Sequence, residues 1–321
     1  MNSQNRTTDL TIGNPFTLLL GFSIPLMIGN IFQQLYTFAD ALIVGQKVGP
    51  FAMAAISSGI TLHGGLRGFC ATFAVFADYE RPALRVASLM KLPVIYILTH
   101  DSIFVGEDGP THQPIEQEMQ IRLMEQVHNH QGERSMLVMR PADAEETVVA
   151  WQCAMNEKRP VALIFSRQNI KSLPALNCSR RDEAKQATKG AYIVMDSAKA
   201  KVVMLASGSE VATLIEGAEL LQKEGIAVRV VSVPSEGLFR DQPKSYQDSI
   251  LPKDVLRYGM TSGLSINLRG LVGENGKIHG CDHFGYSAPA GVLDEKFGYT
   301  PAQVYENVKK FLKIKKNVSF C

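Results

Sequence analysis

No C-x-x-C pair occurs among the five cysteines, Cys70, Cys153, Cys178, Cys281 and Cys321, which excludes the usual zinc knuckle and the dithiol of a disulfide exchanger. Their odd number and scatter fit free thiols in a reducing compartment. An excess of one charge is lacking too. With 33 basic and 31 acidic side chains the net charge is +2, which excludes a broad nucleic-acid surface or an acidic partner. Charge of either sign is absent from Leu10 to Ala39, although charged residues make up 20% of the 321-residue chain. Within that gap Phe16 to Tyr36, FTLLLGFSIPLMIGNIFQQLY, supplies 21 apolar-rich residues, and about 20 suffice to cross a hydrocarbon layer of about 30 Å. Pro25, Asn30, Gln33 and Gln34 suit a helix that faces other helices. The stretch reads as a membrane-spanning helix, with a buried helix of a soluble protein as the alternative.

After Gly64 short apolar runs alternate with amphipathic stretches, the pattern of an α/β protein with a parallel or mixed sheet. The runs Pro93 to Leu98, Met136 to Met139 and Val161 to Phe165 are continuous, as in strands covered on both faces of one sheet. Between the last two, Asp143 is placed to cap a helix running to about Glu157, with Glu146 completing a capping box. From Gln168 to Lys189 periodicity fades, as in an interdomain linker. A second α/β domain opens at Gly190: the strand Lys201 to Ala206, a helix from Ser209 closed by Gly225, then the strand Val228 to Val233. The turn Ala206 to Glu210, ASGSE, can seat an anion, but N-capping by Ser209 is the simpler expectation. The lysine-rich end of the helix from Pro301 to about Lys315 suits its dipole.

The densest polar cluster, THDSIFVGEDGPTHQP from Thr99 to Pro114, follows an apolar strand directly. Ligands of open α/β sheets bind beyond strand carboxyl ends. His100, Glu107, Asp108 and His112 there can move protons at neutral pH, although a metal site or a hydrogen-bonded loop remains an alternative. In ATFAVFADY, Phe73, Phe76 and Tyr79 recur every third residue, a helical stripe that is either core or a wall for a flat heterocycle. Arg167 in SRQN, just after an apolar strand, suits a phosphate. His128 and His130 form an H-x-H pair in a loop read as solvated.

These stretches, with HGGLR, RPADAEE and FGYSAP, together resemble transketolase in its bacterial form, in order from about Met53 to Val308. The resemblance implies a thiamine-diphosphate enzyme that moves a two-carbon ketol unit from a ketose phosphate to an aldose phosphate. The expected organisation is 1–52 transporter-like, 53–168 a pyrimidine-binding domain with a parallel sheet flanked by helices, 169–189 a linker, and 190–321 a smaller α/β C-terminal domain. Carried over, Phe73, Phe76 and Tyr79 stack on the cofactor's aminopyrimidine. His100 lies near the sugar phosphate, Asp108 on a sugar hydroxyl and His112 near the donor's C1 hydroxyl and carbonyl, while Arg167 holds the acceptor's phosphate. The family is cytoplasmic and dimeric.

Departures temper this. The family's G-D-G motif, which helps hold a divalent metal, Mg or Ca, has no counterpart, and the diphosphate domain and the pyrimidine domain's first strand are expected to be missing. Counting back 23 residues from Phe73 puts the family's activating glutamate at Pro50. Losing such a proton-transfer group costs about 10² to 10⁴ in rate. The expectation is a chain inactive alone, working with a partner that supplies the diphosphate domain, or a folded but catalytically dead protein. The front piece resembles the first transmembrane helix of a MATE-type multidrug transporter, with Asp40 where some members carry a coupling-ion carboxylate. A membrane-associated fragment, in contact through residues 16–36, is thus a third reading. The two resemblances meet within Lys47 to Gly65, KVGPFAMAAISSGITLHGG.

Overall fold

The computed structural model describes residues 49–318 and the isolated positions 16, 23, 24 and 27. The transporter-like helix expected over residues 16–36 and Asp40 thus lie, but for those positions, outside the described residues. Among the described residues no helix is long and apolar enough to cross a membrane, so the expectation of membrane contact gains no support.

The chain divides into a short unit, residues 1–53, and a large one, residues 54–321. Helix α1, Gly49–His63, runs across the division. Pro50 falls in its first turn, where a missing amide costs no helical hydrogen bond.

The large unit contains two sheets. The first part runs β1 (Phe69–Phe73), α2 (Ala77–Leu89), β2 (Ile95–Thr99), α3 (Gln117–Gln126), β3 (Leu137–Met139), α4 (Ala144–Asn156) and β4 (Val161–Ile164). All four strands are parallel, in the order β1-β2-β4-β3. Every residue of β3 and β4 is buried, as their unbroken apolar runs require. On α2 the buried Glu80 lies beside the Cys70 thiol of β1, whose Sγ is 3.7 Å from Oε1.

The second part follows α5 (Arg180–Ala184) with β5 (Tyr192–Met195), β6 (Val202–Ala206), α6 (Glu210–Lys223), β7 (Val228–Ser232), α7 (Glu236–Arg240), α8 (Lys244–Ile250), β8 (Leu256–Met260), α9 (Arg269–Val272), β9 (Lys277–His279), α10 (Ala290–Phe297) and α11 (Pro301–Val318). Its sheet is ordered β5-β7-β6-β8-β9, parallel except for β5 against β7.

Two local expectations are corrected, and the segment between the two sheets gains detail. Asp143 Oδ1 does accept the Glu146 amide at 2.9 Å, but Glu146 reaches back to the amide of Ala142, not to that of the cap. Ser209 already has helical dihedrals and makes no capping bond; its hydroxyl donates to Glu210 Oε2 at 3.1 Å. The segment read as a linker is docked: the Leu173 amide donates to Asp143 Oδ2 at 3.1 Å, and Arg180 donates to Asp143 at 2.7 Å and Glu146 at 3.2 Å. A carboxylate that caps α4 therefore also fastens the chain leaving the first sheet.

Candidate functional site

The site starts where β2 ends. Thr99 is its last residue, and His100 turns the chain sharply with φ 57°, a left-handed conformation uncommon without glycine. Ser102 caps a 3₁₀ turn over Ile103–Val105, then Gly106 (φ 94°) and Gly109 (φ 73°) supply the further positive angles that bring His112 back toward the sheet. The buried Gln113 amide nitrogen donates to Ile103 O at 2.8 Å and to Tyr286 O at 2.9 Å, tying the loop to the second part of the chain. A Cβ at Gly285 would lie 1.7 Å from Gln113 Oε1, so any larger residue there would have to displace the Gln113 amide.

The expected helical stripe is not one helix. Phe73 is the last residue of β1, Phe76 closes a 3₁₀ turn over Ala74–Phe76, and Tyr79 lies in the first turn of α2. The three rings still form one wall, with centroids 6.1 Å apart for Phe73 and Phe76 and 6.0 Å for Phe76 and Tyr79. The wall meets the histidines. His100 stacks on Phe73 at 3.5 Å and 16°, while His112 stands edge-on to Phe76 at 5.6 Å and to Phe73 at 6.3 Å. Phe73 and Phe76 are half-buried and Tyr79 is 60% exposed, which leaves aromatic surface for a ligand.

Burial and then Arg167 pull His100 below the ordinary imidazole range, and His112 adds to this; Asp108 and Asp101 pull the other way. His100 is therefore neutral at pH 7 and can both donate and accept a hydrogen bond. Its Nδ1 sits 3.0 Å from Thr99 Oγ1, and His112 Nδ1 sits 2.8 Å from Thr111 Oγ1, which leaves each Nε2 for a ligand. Asp108 and Arg167 are exposed, and both act electrostatically on His100. Phe73, His100 and Arg167 thus gather at the carboxyl ends of β1, β2 and β4, with Phe76 and His112 packed beside them. His128 and His130 lie apart on an exposed loop, and no group of three or more His, Cys, Asp or Glu able to hold a metal occurs among the described residues.

Behind the site stands a residue that motif reading passed over. Arg140 follows β3 and is fully buried. Its Nε donates to Asp101 Oδ2 at 2.9 Å, Nη1 to Ser207 O at 2.9 Å and Glu210 Oε1 at 3.0 Å, and Nη2 to Glu210 Oε2 at 2.8 Å and Ser262 Oγ at 3.2 Å. Burial opposes its charge, but Glu210 and Asp101 outweigh burial and hold its pKa well above the ordinary value. The turn ASGSE, read as an anion seat or a cap, in fact receives this cation. A charged residue directly after an all-apolar strand was the available signal.

Residues 48–172 match the family model described as transketolase, pyrimidine binding domain, and residues 190–300 match that of the transketolase-like TK C-terminal domain. A transketolase of Halalkalibacterium halodurans is 44% identical over 268 residues, covering 83% of this chain and 38% of its own. The chain thus spans about two fifths of the length of the curated relatives it matches. A Pichia stipitis transketolase solved with sedoheptulose-7-phosphate has a TM-score of 0.75 at 31% identity, with 84% of this chain and 38% of that one covered. A chain described as a split gene transketolase, inactive beta4 tetramer, matches with a TM-score of 0.62 over 82% of each chain; at 23% identity it speaks for the fold alone.

Proposed function

The chain belongs to the transketolase family through both of its matched domains, and on that premise we propose that it forms the pyrimidine-stacking and sugar-phosphate-holding side of a ketol-transfer site. One observation carries the reading: Phe73, Phe76, His100 and His112, separated by up to 39 positions, converge on a single aromatic cluster. The family's cofactor, thiamine diphosphate, fits the aromatic surface left open at Phe73, Phe76 and Tyr79, where a flat heterocycle can stack. When bound, it supplies the nucleophilic carbon that carries the two-carbon unit. The chain's own groups bind and orient. His112 hydrogen-bonds the donor's C1 hydroxyl and carbonyl, Asp108 accepts from a sugar hydroxyl, and neutral His100 with Arg167 holds the phosphate. The guanidinium fork contributes the charge and the imidazole a directed hydrogen bond.

The proton-transfer position is not filled. Proline at position 50 carries no titratable group, so the chain by itself does not turn over. Purified chain supplied with thiamine diphosphate, magnesium, a ketose phosphate and an aldose phosphate is expected to show no ketol transfer. Adding a separately produced diphosphate-binding domain should permit cofactor binding but little turnover, and Pro50→Glu should raise the rate of that mixture by about 10² or more. Transfer by the unmodified chain at a rate near that of a whole transketolase would overturn the inactivity. The family is dimeric, and a second copy is the partner this reading favours.

A further inference from the structure

The two residues assigned to the phosphate have chain neighbours that are bonded to each other. Asp101 follows His100 and Ser166 precedes Arg167, and Ser166 Oγ donates to Asp101 Oδ2 at 3.1 Å. The same carboxylate oxygen receives Arg140 Nε. Arg140 is in turn fixed by the second sheet along its whole length. Its amide donates to Pro234 O at 2.8 Å, its carbonyl accepts from the Gly208 amide at 3.2 Å, and its guanidinium is divided between Asp101 and the group Ser207, Glu210 and Ser262. Gly208 has φ +64° and leaves the room: a Cβ there would sit 2.6 Å from Arg140 Cζ. His100, meanwhile, holds a left-handed backbone that persists only where the surroundings over-determine it.

We propose that Arg140 is a positioning residue for the phosphate end of this site: anchored in the C-terminal domain, it fixes Asp101 and Ser166 and thereby sets the separation and aim of His100 and Arg167. The C-terminal domain, which contributes none of the ligand-facing residues named above, thus reaches the pair Asp101 and Ser166 through this guanidinium. The inference rests on the reading of His100 and Arg167 as phosphate-holding residues.

The test uses the full chain and the imidazole signals of labelled histidine, with ribose 5-phosphate as probe. In the unaltered chain His100 is expected to titrate below the ordinary range, under the opposed influence of Arg167, His112, Asp108 and Asp101, and to shift on adding the sugar phosphate. Ser166→Ala loosens the link without removing a charge, and Glu210→Gln loosens Arg140 from the far domain. Both should move the His100 titration toward the ordinary value and weaken the sugar phosphate about tenfold, the worth of one hydrogen bond to a charged group. The control is Tyr192→Phe, which breaks a different contact between the two parts, Tyr192 Oη to Glu146 Oε1 at 2.6 Å. It should lower thermal stability and leave both His100 readouts unchanged. Should Ser166→Ala fold and match the unaltered chain in both readouts, the proposal is wrong, whatever Glu210→Gln does. A chain in which no His100 shift follows the sugar phosphate removes the phosphate reading, and the positioning role then stands or falls on the titration alone.

Discussion

The two sheets are built by the same alternation of strand and helix, yet their strand carboxyl ends are used in opposite ways. Those of the first carry His100, Arg167 and the loop to His112, half-buried or exposed. Those of the second carry Ser207, Glu210, Ser232 and Ser262, all buried and all bonded to side chains of the first part. One set of strand ends is left accessible, the other is taken up by contacts with the first part. Buried carboxylates differ in the same sense. Glu146 is met by the Tyr192 and Ser232 hydroxyls, at 2.6 and 2.7 Å, both from the second sheet. Glu80 of the first part has, among the described residues, no hydrogen-bond partner at Oε2.

The largest expected effect follows from removing the shared cation. Arg140→Ala leaves Asp101 and Glu210 buried without it, and should cost about 3–5 kcal/mol in urea unfolding; a loss below 1 kcal/mol would mean that the second sheet does not support the first through this residue. Next, Phe73→Ala removes the ring under His100 and about 0.5–1.5 kcal/mol of stacking beyond its buried area. It should abolish cofactor-dependent ring-current shifts at His100 and leave the melting of the second sheet in place.

A smaller effect is set by pH. Burial pushes the Glu80 carboxyl up to about 7. A carboxyl whose folded pKa is raised holds its proton while the unfolded chain has lost it. It therefore costs stability progressively as pH rises from about 4.5 to about 7, and the penalty is complete above that. Unfolding measured across this window should show the decline, and Glu80→Gln should flatten it; an unchanged slope would place the titration elsewhere. The smallest effect belongs to a surface pair of the second part. Lys309 Nζ lies 2.8 Å from Glu224 Oε2, and Lys309→Ala should leave urea unfolding nearly unchanged, since such pairs are screened by water and salt.

Much of this was legible in sequence, and the part that was not has a common cause. The runs at 93–98, 136–139 and 161–165 announce buried parallel strands because burial on both faces demands unbroken apolar side chains; β3 and β4 lie within them and β2 ends one residue past its run. Asp143 announces its helix because capping is a contact between residues three apart. The loop from Thr99 to Pro114 stands out because so many ionisable groups seldom crowd a turn. By contrast β1 was hidden: an edge strand of five residues, FCATF, whose end bears a phenylalanine at helical spacing from the next two. Arg140, Ser207 and Glu210 were hidden more deeply. Their roles depend on a pairing across 70 positions, to which no local spacing points. The role of Ser209 was misread for the same reason, since the carboxylate beside it takes its hydroxyl as part of that distant arrangement.

The seat of Gln113 has one more consequence. Its amide bridges a carbonyl of the site loop and a carbonyl of the FGYSAP segment across 173 residues of chain, in a space that Gly285 keeps open. Two surface segments joined in this way open together or not at all. Native-state hydrogen exchange should therefore find the amides around His112 and those around Tyr286 released in one step, with one free energy. The loop from Thr99 to Pro114 would then owe its order to a segment far away in sequence.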